Sequence, residues 1–290
     1  MNIYQETSLW NALCDQPIDP PILMSALTSK NAKLFFGYHC GTEMAKTFLG
    51  YGQAANRGRQ LFSCLRRFMD AGAACAKQNL DFLPEELSAL EPGKTVDPFI
   101  SAEEYAELKK QVDKLTDGTL DEEAERIIRD RIAFAQRTRK DQVQHLETRD
   151  DMKEELKTVR PEDLPRWLDE KIMTPVDAAI LANHIIRIYT NAPTEEVFAY
   201  AKALLANPGF RFARGVVRAD LYYNWRCANR GSNPPDLIDD MFYVLNATYC
   251  DVYATKDKKQ LEYAGLLLTA GTRVEIYTSG PVDQWLLGVI

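Results

Sequence analysis

The sequence predicts an α/β protein with a parallel sheet and a large all-helical insertion, and three observations support this. Apolar runs of strand length alternate with helix patterns in residues 1–80, an order typical of parallel sheets. A similar alternation returns in residues 210–290, while residues 81–209 between them are strongly charged and helical in pattern. Each α/β half is too short for a full sheet. We therefore expect the halves to associate into one three-layer α/β/α domain.

Strand and helix patterns alternate through the N-terminal half. Residues 2–4 could form the edge of a strand, although the segment is too short to judge alone, and an apolar, aromatic strand pattern lies at residues 33–38. Helical spacing of apolar residues marks the segments around and after them. The predicted helices lie at residues 9–13, 21–29, 41–48 and 60–77.

The middle of the chain predicts a turn-rich linker followed by helices. The linker covers residues 84–99, and Ser101 and Glu104 then form a capping-box pattern that opens a charged helix. Further helices are predicted at residues 120–149, 174–189 and 194–206.

The C-terminal half carries an acidic helix–strand unit. An arginine-rich helix is predicted at residues 210–229, and the acidic pair Asp239 and Asp240 then opens another helix. A β-favouring run follows at residues 251–255. Asp257 lies just past that run, where open α/β sheets place their ligands. The remaining patterns are a helix at residues 260–268 and a strand at residues 271–278.

The composition is that of a folded protein that we expect to find in the cytoplasm. Hydrophobic residues make up 46% of the chain. No apolar run approaches the ~18 residues of a membrane span, and the N-terminus lacks the pattern of a signal peptide. The net charge of −7 argues against a strongly cationic nucleic-acid binder, although a local basic surface still permits phosphate binding. The six cysteines have no C-x-x-C spacing and predict buried free thiols rather than disulfides or zinc ligands.

The arginine-rich helix has two open interpretations. Arg214 and Arg218 share a helix face with Arg211. They could contact phosphates beside the acidic pair that follows, or they could be solvated or pair with the acidic insertion. Trp225 on the same helix could stack on a base, but its helical spacing favours packing against the insertion.

Four carboxylates follow predicted strands or open the helices beside them: Glu6, Glu43, Asp240 and Asp257. With the string Tyr-Cys-Asp-Val-Tyr-Ala-Thr-Lys-Asp at residues 249–257, their order resembles the PIN-like nuclease superfamily. Members of that family have Asp-Thr-(Asn/Ser) after the first strand and a Glu on the helix after the second. They end with a helix-start Asp and a strand-end Thr-x-Asp. The resemblance covers about residues 1–75 and 236–280 and is strongest to bacterial members. The present chain departs from it in having Glu6 where the family usually has Asp.

The resemblance implies a metal-dependent nuclease that hydrolyses phosphodiester bonds, with RNA favoured over DNA. The cofactor would be Mg²⁺ or Mn²⁺, which prefer oxygen ligands. The implied metal ligands are Glu6, Glu43, Asp240 and Asp257, with Asp239 or Asp251 able to share the ligation. The implied substrate-binding residues are Thr7, Ser8, Thr255, Arg214 and Arg218. Bacterial proteins of this kind are often toxins or defence effectors, so a homo-oligomer or an inhibitory protein is a further expected partner, and a membrane is not.

Other hypotheses remain open. Each acid also has a structural interpretation, as a helix cap, a turn residue or a solvated residue of a first helical turn. A catalytically inactive PIN-like module that binds nucleic acid or a partner is the alternative function, and Glu6 is its main support. Arg139 and His145 have an Arg-x5-His spacing that resembles the HEPN ribonucleases. His39 is expected to pack at a strand end.

Overall fold

The centre of the protein is a five-stranded sheet in which every neighbouring pair of strands is parallel, in the order β3-β2-β1-β4-β5. The computed structural model describes residues 1–47, 53–116, 122, 125–126, 129–130, 133, 150–171, 179, 181–182, 194–230, 237–268 and 271–290. The strands are β1 (Asn2–Gln5), β2 (Lys33–Gly37), β3 (Ala74–Ala76), β4 (Val252–Thr255) and β5 (Arg273–Ile276). The predicted parallel α/β architecture is confirmed, and the two halves share one sheet.

Helices cover both faces of this sheet, in agreement with a three-layer α/β/α arrangement. In the N-terminal half they are α1 (Thr7–Cys14), α2 (Pro20–Ser29), α3 (Tyr38–Lys46) and α4 (Gln53–Asp70). The middle contributes α5 (Asn79–Ser88), α6 (Ala102–Thr116), α7 (Asp150–Thr158), α8 (Leu164–Lys171) and α9 (Thr194–Ala206). The C-terminal half contributes α10 (Arg211–Arg230), α11 (Leu237–Leu245), α12 (Lys258–Leu267) and α13 (Val282–Val289).

Alternation along the central strands creates two cores. Side chains of a strand point to opposite faces in turn, so Ile3 of β1 joins the core under α1, α2 and α4, whereas Tyr4 joins the core under α10, α11 and α12. Because both faces are covered, residues 3–5 of β1 and all of β4 are buried, as is usual for parallel sheets.

The helices of residues 81–209 pack into these same two cores. Val112 of α6 lies in the first core, and Leu164 and Val197 lie in the second. The predicted capping box is present, since the N–H of Ser101 donates to Glu104 at 2.7 Å and the N–H of Glu104 donates to the Ser101 hydroxyl at 3.2 Å. The boundaries 80/81 and 209/210 stay predictions.

Two local predictions were wrong. The helix predicted at residues 60–77 ends at Asp70, and β3 follows within that range. Gly72, at φ +101°, makes the intervening turn, a backbone conformation that glycine adopts without a steric penalty. The segment predicted as a linker, residues 84–99, begins with residues 84–88 of α5. The proline at position 84 indicated a turn, but the helix accommodates it in its interior.

The helices predicted at residues 120–149 and 174–189 lie mostly outside the described residues. Among the residues that the structure does describe, no helix combines the length and the apolar character needed to cross a bilayer.

Candidate active site

The candidate site lies at the carboxyl edge of the sheet, between β1 and β4. The chain proceeds from β1 to β2 and β3 on one side, whereas β4 and β5 lie on the other, so the strand order reverses between β1 and β4. Ligands of open α/β sheets bind in the crevice outside such a switch point. Glu6 follows β1 and Asp257 follows β4, which places two of the four predicted acids at this crevice.

Glu6 is buried and ties the two central strands together. Its Oε2 accepts the N–H of Ser8 at 2.9 Å, the Ser8 hydroxyl, and the Thr255 hydroxyl at 3.2 Å. Its own N–H donates to the carbonyl of Ala254 at 3.0 Å. The Ser8 hydroxyl in turn accepts the N–H of Lys256 at 3.1 Å. Glu6 is therefore the N-cap of α1, and Ser8 and Thr255 hold its carboxylate in place.

The pKa of Glu6 is raised, mainly because burial disfavours the charged form. The hydrogen bonds from Ser8 and Thr255 oppose this shift, and the nearby charge of Glu43 adds to it. The negative charge of Glu43 therefore disfavours ionisation of Glu6.

Glu43 links this edge to the acidic pair. Its pKa is raised first by burial; the Thr7 hydroxyl and the ammonium group of Lys46 lower it, and the charge of Asp239 raises it again. Thr7 is the first residue of α1 and is itself buried. The charge of Glu43 thus acts on Glu6, and the charge of Asp239 acts on Glu43.

The two members of the acidic pair have different neighbours. The charge of Asp239 acts on Glu43, whereas that of Asp240 acts on Tyr263 of α12. Both charges act on Tyr243, one turn later in α11. Asp240, which the sequence analysis placed in the ligand set, lies on the α12 side of the pair. The assignment of Asp240 as a ligand stays a prediction, and Asp239 is the member that interacts with Glu43.

Asp257 is exposed and caps α12. Its Oδ1 accepts the N–H of Lys259 at 2.7 Å, and its own N–H donates to the Thr255 hydroxyl at 2.9 Å. The Thr255 hydroxyl therefore connects Asp257 to Glu6 through two hydrogen bonds. The predicted Thr-x-Asp turn is present, with the Thr buried beneath the edge and the Asp at the surface.

Aromatic rings form one wall of the site. The buried His39 stacks on Tyr243 with ring centroids 4.2 Å apart, and the Tyr4 hydroxyl lies 3.0 Å from its Nε2. Burial, assisted by the charge of Lys46, lowers the pKa of His39 to about 3, so the ring is neutral at neutral pH. His39 has the packing role that the sequence analysis favoured.

Asp251 does not lie at this edge. It precedes β4, and its Oδ2 accepts the N–H of Asn2 at the start of β1 at 2.6 Å. Because the strands are parallel, this contact is at the amino edge, opposite Glu6. The prediction that Asp251 could share the metal is wrong, since the full length of β4 separates Asp251 from the carboxyl edge.

Arg214 and Arg218 are engaged inside the protein. Arg214 Nη1 donates to the Leu205 carbonyl at 2.6 Å. Arg218 is buried; its Nη1 donates to the Leu268 carbonyl at 3.1 Å and its Nη2 pairs with Asp169 of α8. Of the two interpretations, pairing with the middle helices describes Arg218, and the prediction that it holds phosphates is corrected. Arg214 is likewise occupied at the helix half remote from Glu6.

Trp225 is also a packing residue, since it is buried and its Nε1 donates to the Val159 carbonyl at 2.8 Å. Beside it, an open groove of about 430 Å³ runs between α12, the C-terminal end of α10 and the start of α8. Lys258 and Arg230 are the cations of this groove, and Lys258 is the residue after Asp257.

No role was predicted from the sequence for the lysines after β4 or for Arg230. Lys256, Lys258 and Lys259 are all exposed. The signal that could have identified them is their position, within four residues after the strand-end Thr255.

The donor chemistry of this edge suits a hard divalent cation. All three hydrogen bonds to the Glu6 carboxylate go to Oε2, so Oε1 is the oxygen left to face a cation. In the described part of the chain, no three His, Cys, Asp or Glu side chains are close enough to form a ready metal site. The acids therefore fit Mg²⁺ or Mn²⁺ by the type of their donor atoms.

No protein-family model, no curated protein and no solved structure matches this chain. The Arg139 and His145 pair lies outside the described residues.

Proposed function

We propose that this protein is a Mg²⁺- or Mn²⁺-dependent nuclease that hydrolyses phosphodiester bonds, with RNA favoured over DNA. The observation that carries the proposal is the buried Glu6 at the switch point, with the charge of Glu43 next to it and that of Asp239 next to Glu43. Buried like charges are costly unless something compensates them. A divalent cation at the same edge would offset their repulsion.

The PIN-like assignment belongs to this proposal. It is supported by the all-parallel sheet and by the placement of Glu6, Glu43, the acidic pair and Asp257 toward one edge. The expected role as a toxin or defence effector rests on the resemblance alone.

The residues of the site have distinct tasks in this proposal. Glu6 Oε1, Glu43 and Asp239 would hold the ion, with Asp240 and Asp257 at its margin. A bound ion of this kind lowers the pKa of a water molecule and stabilises negative charge on a phosphate oxygen. Ser8 and Thr255 keep the Glu6 carboxylate oriented through their hydrogen bonds.

Phosphate binding is assigned to the lysines after β4 in place of Arg214 and Arg218. Lys256 and Lys259 are exposed beside Asp257. Lys258 and Arg230 continue this basic rim along the groove, whose apolar walls include Leu261. Exposed cations at the mouth of an acidic site attract a polyanion while the carboxylates are occupied by metal.

The inactive module is supported by a separate observation. Glu6 and Asp257 both act as helix caps, accepting N–H groups of Ser8 and Lys259, and this explains both carboxylates without metal. In that case the basic rim would bind nucleic acid without cleaving it.

The test measures cleavage and metal binding separately. End-labelled single-stranded RNA and DNA are incubated with the protein and Mn²⁺, Mg²⁺ or EDTA, and Mn²⁺ binding is followed by calorimetry. Glu43→Gln and Asp239→Asn are expected to weaken Mn²⁺ binding and to slow cleavage by ~100-fold or more, because a metal contributes several kcal/mol to the transition state. Asp251→Asn is the matched control, since Asp251 lies at the opposite edge.

Full cleavage by both Glu43→Gln and Asp239→Asn would contradict the nuclease site described here. Binding of RNA without any cleavage, together with absent Mn²⁺ binding, would identify the inactive module. Metal-independent cleavage that disappears in His145→Ala would favour the HEPN-type hypothesis instead.

A further inference from the structure

Two half-buried thiols meet where α1 crosses α4, away from the carboxyl edge. Cys14 is the last residue of α1 and Cys64 lies in the middle of α4. Both cysteines are free and partly exposed. Cys14 lies one turn after Trp10 and Cys64 lies one turn before Phe68, and the rings of Trp10 and Phe68 are in contact, so the two thiols lie on the facing sides of the two helices. By contrast, Cys40, Cys75 and Cys250 are buried.

Contacts on both sides of the pair hold the two helices together. The rings of Trp10 and Phe68 meet edge to face at 5.1 Å between centroids. Arg57 forms an ion pair with Asp15 at 2.6 Å and donates to the Asn11 carbonyl at 3.4 Å. The separation of the two sulfur atoms is therefore set by packed helices. A disulfide needs a sulfur–sulfur distance of ~2 Å, so oxidation has to bring the two side chains into direct contact.

The charges around the pair distinguish the two thiols. The interaction between the two thiols lowers the pKa of Cys64 and raises that of Cys14. Burial and Asp15 raise the pKa of Cys64, and the guanidinium groups of Arg67 and Arg57 lower it. Since the thiolate is the reactive form of cysteine, Cys64 is the attacking residue and Cys14 is the resolving one.

We propose that Cys14 and Cys64 are a redox modification site that closes to a disulfide in the presence of hydrogen peroxide. The Cys64 thiolate attacks one peroxide oxygen, an S–O bond forms as the O–O bond breaks, and the hydroxide released takes up a proton to become water. The product at Cys64 is a sulfenic acid. Cys14 then attacks that sulfur, the S–S bond forms as the S–O bond breaks, and the departing hydroxide leaves as water with the Cys14 proton. Two thiols are oxidised and one peroxide is reduced to two waters. A dithiol reductant reverses the change.

The experiment reads the thiols directly and does not depend on nuclease activity. The reduced full-length protein is treated with hydrogen peroxide, and its free thiols are counted and its peptides mapped without reduction. The wild type is expected to lose two thiols and to yield one linked peptide pair containing Cys14 and Cys64, which dithiothreitol separates. In Cys14→Ser the reaction is expected to stop at the sulfenic acid, which dimedone labels on Cys64. Cys227→Ser is the matched control, because Cys227 is the other partly exposed cysteine, and it should react as the wild type does.

The proposal is overturned if peroxide leaves both thiols free in the folded wild type, or if the linked peptides join a different pair. It is also overturned if Cys14→Ser shows no dimedone adduct on Cys64. Circular dichroism confirms that each variant is folded, and the peptide map of the wild type decides the question even if a variant does not fold.

Discussion

Glu86 is expected to make the stability of this protein fall as the pH rises from acid toward neutral. The side chain is fully buried on α5, and its carboxylate accepts the N–H groups of Phe212 and Ala213 at 2.7 and 2.8 Å and the hydroxyl of Tyr249. It thereby caps the N-terminus of α10 from another helix, a position that favours an anion. Burial nevertheless outweighs these bonds and raises the pKa of Glu86 from 4.5 to about 7.

The size of the effect follows from this difference in pKa. Between pH 4.5 and about 7 the folded protein holds a proton on Glu86 that the unfolded chain has released. Unfolding therefore releases a proton in this window, and stability decreases as the pH rises. Each pKa unit corresponds to about 1.4 kcal/mol, so Glu86 contributes about 3 kcal/mol to the difference in stability between the two ends of the window.

The assay compares urea unfolding of the wild type and Glu86→Gln from pH ~5 to ~8.5, where the glutamine cannot titrate. The wild type should lose about 2.5 kcal/mol relative to the variant across this range. Glutamine also offers an NH₂ group to one of the two backbone donors, so the variant starts about 1–3 kcal/mol less stable at acid pH. Glu91→Gln, at an exposed glutamate, is the matched control. Parallel pH profiles for the wild type and Glu86→Gln would refute the argument.

Two further substitutions test other parts of the fold. Gly37→Ala would place a Cβ 2.6 Å from the His39 ring and should lower the free energy of unfolding by about 1–3 kcal/mol in urea or thermal unfolding. Gly41→Ala is the control and should not destabilise the protein, because no atom lies within 4 Å of its Cβ. Equal effects of the two substitutions would contradict this. Arg218→Met should lower the free energy of unfolding by about 1–3 kcal/mol, because carbonyl acceptors lose their donor and Asp169 loses its ion pair. RNA affinity should not change. An unaltered urea midpoint together with weaker RNA binding in a polarisation assay would restore Arg218 as a phosphate ligand.

The sequence predicts the sheet where the pattern of buried residues is strong. Residues 34–37 of β2 and all of β4 are mostly apolar runs buried on both faces, and such runs between helices indicate parallel strands. β1 is half polar in sequence, and its signal is weaker. β3 was missed because Ala74-Cys75-Ala76 has neither β-branched nor aromatic residues and continues the apolar spacing of the preceding helix. The break between them depends on Gly72, whose positive φ is a property of the folded chain and is not encoded by periodicity.

The acids of the candidate site could be placed at one edge from sequence because the carboxyl ends of parallel strands lie together. Their individual orientations could not, and the acidic pair shows why. Adjacent residues of a helix point about 100° apart, so only one of Asp239 and Asp240 can face Glu43 directly. The rotation of α11 is set by Ile238, Met241 and Val244, which are buried against neighbouring helices.

The arginines of α10 show the same limit on a larger scale. Their spacing predicts a shared face, but the partners of Arg214 and Arg218 depend on where α8, α9 and α12 pack. The N-terminal half of α10 lies beside Glu86, and Glu86 in turn contacts Tyr249. Because Tyr249 precedes β4, this half of α10 lies toward the amino edge of the sheet. Its C-terminal end reaches Glu262 and the groove beside Lys258. A helix that runs across the sheet in this direction brings Arg230, and not Arg214 or Arg218, toward the edge where the carboxylates are. If the site binds nucleic acid, the cations that contact its phosphates must therefore come from the end of α10 and from the lysines that follow β4.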